Sequence, residues 1–116
     1  MKTEIASYRL YLDDIREPQR EDWIVVRTPE EFRQIILEKE CLPEAISLDH
    51  DLGEGLESGY DIMKWLVDLA LDHELPLADV DLGSHSANVV GRKNIMGLFK
   101  SWRRYNEKTE NMEKEE

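Results

Sequence analysis

Apolar and polar positions alternate from Tyr8 to Asp14, with Tyr8, Leu10 and Leu12 on one side and Tyr11 on the other, which predicts a short strand closed by Asp13 and Asp14. A turn at Glu17-Pro18 separates it from Trp23-Ile24-Val25-Val26, a second run of β-forming residues. Thr28-Pro29-Glu30-Glu31 has the form of a helix start: Thr28 as cap, Pro29 at the first helical position, and Glu31 completing a capping box before apolar Phe32, Ile35 and Ile36. Pro43 closes that region, and residues 45–48 (Ala-Ile-Ser-Leu) suit a central parallel strand. The Gly-rich segment 53–59 predicts a flexible loop, and residues 60–71 carry Met63, Leu66, Val67 and Ala70 at helical spacing. Leu75-Pro76 ends that helix. Val80 and Leu82 then alternate with Asp81 and Gly83 in a half-polar strand suited to a sheet edge, and a last helix after Asn88 carries Ile95, Leu98, Phe99 and Trp102.

Strands alternating with helices make βαβ units, and right-handed crossovers lead to a parallel sheet with helices on both faces. The expectation is a three-layer α/β fold with strand order 2-1-3-4. No fifth strand is expected, because residues 101–116 are too charged to enter a core. A chain of 116 residues supports one core, so a single domain is expected over 1–106 and an acidic, disordered tail over 107–116. Net charge is −11, of which the tail carries −3. The acidic body argues against gripping an extended nucleic-acid duplex through its backbone, but leaves a short nucleic-acid end or a small phosphate ester as a partner. Cys41 is the only cysteine, so no intrachain disulfide can form. With neither a signal-like apolar run nor a membrane-length one, no membrane partner and a cytoplasmic location are expected.

Three polar clusters close the apolar runs: Asp13-Asp14, Asp49-His50-Asp51 and His85-Ser86-Ala87-Asn88. In an open parallel sheet, ligands bind beyond the carboxyl ends of the strands where strand order reverses, and the order 2-1-3-4 puts the first and third strands together there. Asp13, Asp14, Asp49 and Asp51 would then repel one another unless a cation, a proton or an arginine intervenes. A hard divalent ion, Mg²⁺ above all, suits such oxygen ligands. A strand-ending turn accounts for Asp13-Asp14 taken alone. His50 and His85 can take or give a proton near neutral pH, with either as base or acid, whereas His73 suits the C-terminal end of its helix. One of Ser84, Ser86 and Asn88 caps the last helix, leaving amides for an anion, and Arg92 one turn further on suits a phosphate. Ser86, Asn88, Arg92 and Asn94 are the candidate substrate-binding residues.

Leu12-Asp13-Asp14-Ile15-Arg16, Ser47-Leu48-Asp49-His50-Asp51-Leu52-Gly53, and His85-Ser86-Ala87-Asn88 continuing through Gly91-Arg92 and Asn94-Ile95-Met96 resemble the motifs of the cyclic-phosphate processing receiver-like family. The likeness spans roughly residues 8 to 100, and Ile95 shifts the methionine by one position from the family pattern. It implies a receiver-like (flavodoxin-like) fold and the processing of cyclic phosphates, with 2',3'-cyclic RNA ends or nucleotides among the substrates. Asp13-Asp14 resembles a receiver's metal-binding acidic pair, Asp49 its phosphate-accepting position and Ser86-Ala87 its hydroxyl-bearing pair. The lysine that closes a receiver's fifth strand has no counterpart, which argues against a phosphorylation switch. The leading expectation is a phosphoesterase with a divalent cation and with His50, His85 and Asp49 as catalytic groups. The alternatives are a noncatalytic receiver-like interaction or signalling module and a phosphomonoesterase with Asp49 as nucleophile.

Overall fold

The computed structural model describes residues 1–53 and 57–114. Among them, the alternating and apolar runs become four strands: β1 (Ile5–Leu12), β2 (Ile24–Val26), β3 (Leu42–Leu48) and β4 (Asp81–Ser84). All pairings are parallel and the order is β2-β1-β3-β4, as expected. Pro43 does not precede β3 but lies inside it. It is tolerated because β4 begins only opposite Ala45, and because the β1 pairing is irregular between Ala6 and Arg9.

The helices begin where side chains satisfy their first amides. In α1 (Pro29–Lys39) the Thr28 hydroxyl accepts from the Glu31 amide, with Pro29 in the first turn. In α2 (Gly59–His73) Ser58 and Asp61 form a reciprocal capping box, a device worth about 1 kcal/mol. In α3 (Val89–Lys114) the Asn88 carboxamide oxygen accepts from the Gly91 amide at 2.9 Å. A single 3₁₀ turn, Leu77–Asp79, leads into β4. Of the expected 53–59 loop, residues 54–56 lie outside the described residues, and Gly59 is already helical.

Leu10 and Leu12 of β1, Val26 of β2, Ile46 and Leu48 of β3 and Leu82 of β4 share one side of the sheet and join a single apolar cluster. Phe32 and Ile36 of α1, Ile62, Met63 and Leu66 of α2, and Ile95, Phe99 and Trp102 of α3 complete it. Phe32 meets Trp65 edge to face, so α1 and α2 are neighbours, and α2 packs in turn on α3. All three helices therefore cover the same face. The α/β fold and its strand order are those expected, but the second face has no helix among the described residues, because β1 and β2 are joined by the turn-rich 13–23 segment instead of a helix. That face carries Tyr11, Ser47 and Gly83 side by side.

The last helix also runs further than expected. It continues to Lys114, so residues 107–114, expected as a disordered tail, are helical, while 115 and 116 lie outside the described residues. Among the residues whose side chains are described, its last buried apolar residue is Trp102. No helix among the described residues is long and apolar enough to cross a membrane.

Gly59 is the tightest point of this packing. Its amide donates to the His50 carbonyl at 2.9 Å, and a Cβ there would lie 2.0 Å from the Asp49 carbonyl oxygen. Since backbone has to move to admit a methyl group, Gly59→Ala is expected to cost about 3 kcal/mol. A lowered urea midpoint at unchanged m-value is the readout, and an unchanged midpoint would contradict this packing.

Candidate functional site

Leu12 pairs with Leu48, and the Asp49 amide donates to the Leu12 carbonyl at 2.9 Å, so β1 and β3 end level with each other. The residues that follow them, Asp13 and Asp49, are consequently brought together, and both are buried. Carboxylate oxygens of Asp13, Asp14 and Asp49 lie within 4.8 Å of one another, and this triad could bind a metal ion.

Asp13 is 0 % exposed. Taking a carboxylate out of water costs several kcal/mol, whereas a hydrogen bond to a charged group returns about 1.5–3 kcal/mol. Asp13 accepts three: the Ile15 and Arg16 amides reach Oδ1 at 3.0 and 2.9 Å, and His85 Nε2 reaches Oδ2 at 2.9 Å. Burial pushes its pKa up, but the Arg16 and Ile15 amides, then His85, outweigh that and hold it below the usual aspartate value. The strand-ending turn and the acidic cluster are thus the work of one residue's two oxygens.

β4 lies beside β3, with the His85 amide donating to the Leu48 carbonyl at 3.2 Å, and this delivers His85 to the cluster. Its ring stacks on Tyr11 at 4.2 Å between centroids and 9° between planes. Nδ1 is 2.6 Å from Ser47 Oγ, so both ring nitrogens are engaged. With Nε2–H donating to Asp13, Nδ1 accepts from the Ser47 hydroxyl. Burial raises the Tyr11 phenol's pKa, and the Asp13 charge adds to this.

His50 is placed differently. Its Nδ1 is 2.9 Å from Asp51 Oδ1, and the ring lies against Gly91, where a Cβ would sit 2.3 Å from its Cγ. Asp51, expected as a fourth metal ligand, is outside the triad. The Gly59 amide holds the His50 carbonyl and turns the chain toward α2. The exposed Asp51 carboxylate instead takes His50 and, at 3.3 and 3.4 Å, the Asn88 amide group. The His50 hydrogen bond leads in lowering its pKa.

Ser86 is buried and accepts from the Asn88 amide at 3.1 Å, so Ser86 and Asn88 together shape the turn into α3. Arg92 folds back to donate to the Ser86 carbonyl at 3.1 Å. Asn94 is exposed and is not brought to this group: six residues beyond Asn88, at about 100° per residue, it lies on another side of α3. Four contributors had no role assigned from sequence. Ser47 and Tyr11 hold His85, Arg16 lends Asp13 its amide, and Arg27 donates to the Asp13 and Arg16 carbonyls at 3.1 and 2.7 Å while pairing with Glu17. The available signals were a serine inside an apolar strand and an arginine directly after one.

Two outcomes follow from these contacts. Because the folded-state pKa of Asp13 is depressed, its contribution to stability is complete above the unfolded value of about 3.9 and is lost as pH falls through the folded value. Acid titration of chelator-treated protein should therefore show a less steep loss of stability for Asp13→Asn than for the parent, and equal slopes would count against the bonding described. Gly91→Ala should displace the His50 ring without unfolding the chain, read as a changed His50 ring-proton shift in NMR with His85 unmoved.

Residues 8–101 match a family model described as the cyclic-phosphate processing receiver domain. Neither the search of curated proteins nor that of solved structures found a match. The matched span holds the acidic triad, both histidines and the start of α3, and the family's name carries a role in cyclic-phosphate processing. A sheet of order 2-1-3-4 with this acidic cluster at its carboxyl ends, matched over most of its length, places the chain in the cyclic-phosphate processing receiver domain family.

Proposed function

We propose that this protein is a phosphoesterase that opens cyclic phosphate esters at the pocket beyond β1 and β3. The observation that carries this reading is the carboxylate triad with an imidazole bonded to one of its members. The Asp14 and Asp49 carboxylates have no hydrogen-bond donor among the described residues, a donor set suited to a hard divalent cation such as Mg²⁺ held by Asp13, Asp14 and Asp49. Such an ion, when bound, supplies positive charge against that developing on the phosphoryl oxygens.

The two histidines divide the remaining work. With both nitrogens engaged, His85 fixes the orientation of the Asp13 carboxylate. His50 donates through Nδ1 to Asp51, which leaves Nε2 as a base without a partner among the described residues. Water attacks phosphorus and gives its proton to His50 Nε2; the ring P–O bond breaks, and the imidazolium protonates the departing ester oxygen. Phosphate oxygens are received by the Val89 and Val90 amides at the start of α3, the Gly91 amide being taken by the Asn88 cap, and by Arg92, held at that end by Ser86.

A second reading, a noncatalytic receiver-like module, draws on the buried position of Asp49 at the end of β3. Acetyl phosphate labelling of Asp49 without turnover would select it. The deciding experiment follows phosphorus NMR of a series of cyclic phosphates with and without Mg²⁺ or Mn²⁺. Ring opening to a phosphomonoester is expected, reduced about 10²–10⁴-fold in His50→Ala and strongly reduced in Asp49→Asn. No ring opening of any ester by the metal-supplied protein would overturn the proposal.

A further inference from the structure

The sheet face without helices is not featureless. Beside the acidic triad it carries a cleft of about 410 Å³ lined by residues that include Tyr11, Arg16, Pro18, Arg20, Trp23 and His85. That volume lies within the range of roughly 300–1,000 Å³ typical of small-ligand sites. The walls combine two aromatic side chains, an imidazole, two guanidiniums and the Glu17 carboxylate, which is paired with Arg27. Flat π-faces with cationic groups around them are the chemistry that takes a nucleobase and its phosphate.

The side chains are held in place before any ligand arrives. Tyr11 is fixed between the His85 ring, stacked at 4.2 Å, and the Trp23 ring, met edge-on at 6.0 Å. The Arg9 guanidinium sits 4.4 Å over the Trp23 ring and braces it. Arg20 pairs with Asp22 at 2.9 Å, whereas the Arg16 guanidinium has no carboxylate partner among the described residues and reaches only the His85 carbonyl, at 3.4 Å. His85 joins the two places: it lines the cleft, and its Nε2 touches Asp13 at 2.9 Å. A ligand seated here abuts the carboxylate triad with one imidazole between.

We infer that this cleft is a nucleoside-binding subsite beside the triad, with a base lying against Trp23 and its phosphate side facing Arg16. This deepens the cyclic-phosphate reading and rests on it for the position of the ring. It commits the bare sheet face to a small planar ligand and not to a second protein.

The test compares adenosine 2',3'-cyclic phosphate with glycerol 1,2-cyclic phosphate, which has the ring but no base, by calorimetry and by turnover on the metal-supplied full chain. The nucleotide is expected to bind at least about tenfold more tightly, as loss or gain of one base–aromatic stack implies. Trp23→Ala should erase that difference, read as the ratio of the two affinities, Trp23→Phe should keep most of it, and Arg16→Ala should weaken both esters. If Trp23→Ala does not fold, quenching of indole emission by the nucleotide, lost in Trp23→Phe, reads the same contact. Equal affinity for the two esters, or no quenching, overturns the subsite. Turnover of both with equal KM would sink it while the phosphoesterase reading stands, and Trp23-dependent nucleotide binding without turnover of either would do the reverse.

Discussion

Parallel pairing of β1 with β3 forces two aspartates together, and the arrangement around the site answers that constraint. Leu12 and Leu48 are opposite each other and buried, so Asp13 and Asp49 cannot separate without moving the centre of the sheet. Coulomb repulsion between carboxylates at this spacing is substantial wherever water is scarce. The molecule meets it locally: two backbone amides and His85 serve Asp13, and Arg27 ties down the loop that provides those amides. Asp14 and Asp49 are left without donors from the described residues, which concentrates the unanswered negative charge at one point.

Much of this was legible in the chain because the features are local or follow from topology. The Thr28-Pro29-x-Glu31 start and the apolar stripe of Met63, Leu66 and Ala70 needed only spacing, and the parallel sheet followed from strands alternating with helices. The meeting of Asp13 with Asp49 followed from the strand order of that sheet. Asp51 was misplaced because proximity in sequence says nothing about a chain reversal, and the reversal depends on a hydrogen bond from Gly59 to His50, residues separated by a loop. The single-sided helical layer was missed for a similar reason. Helices on both faces were inferred from the alternation of strands and helices as a whole, although the turn at Glu17-Pro18 already left the β1–β2 connection without a helix to cover the second face.

The two histidines show how far residue type underdetermines role. Both follow strand ends and both contact an aspartate, yet one ring is clamped at each nitrogen and stacked on Tyr11, while the other is held at Nδ1 alone. The difference arises from what each imidazole packs on. His85 lies over the bare face of the sheet, next to Ser47. His50 lies against Gly91, the one residue type at that position of α3 that leaves room for a ring.

Parallel sheets are nearly always covered on both sides, because their strands expose apolar surface above and below. Here, among the described residues, one side has only a loop and a few braced side chains over it, so an occupant of that side would become a temporary third layer. An occupant that binds only the folded chain adds to its stability by mass action. Filling that side and the folding equilibrium would therefore be linked: an occupant of the bare face makes the folded chain harder to unfold.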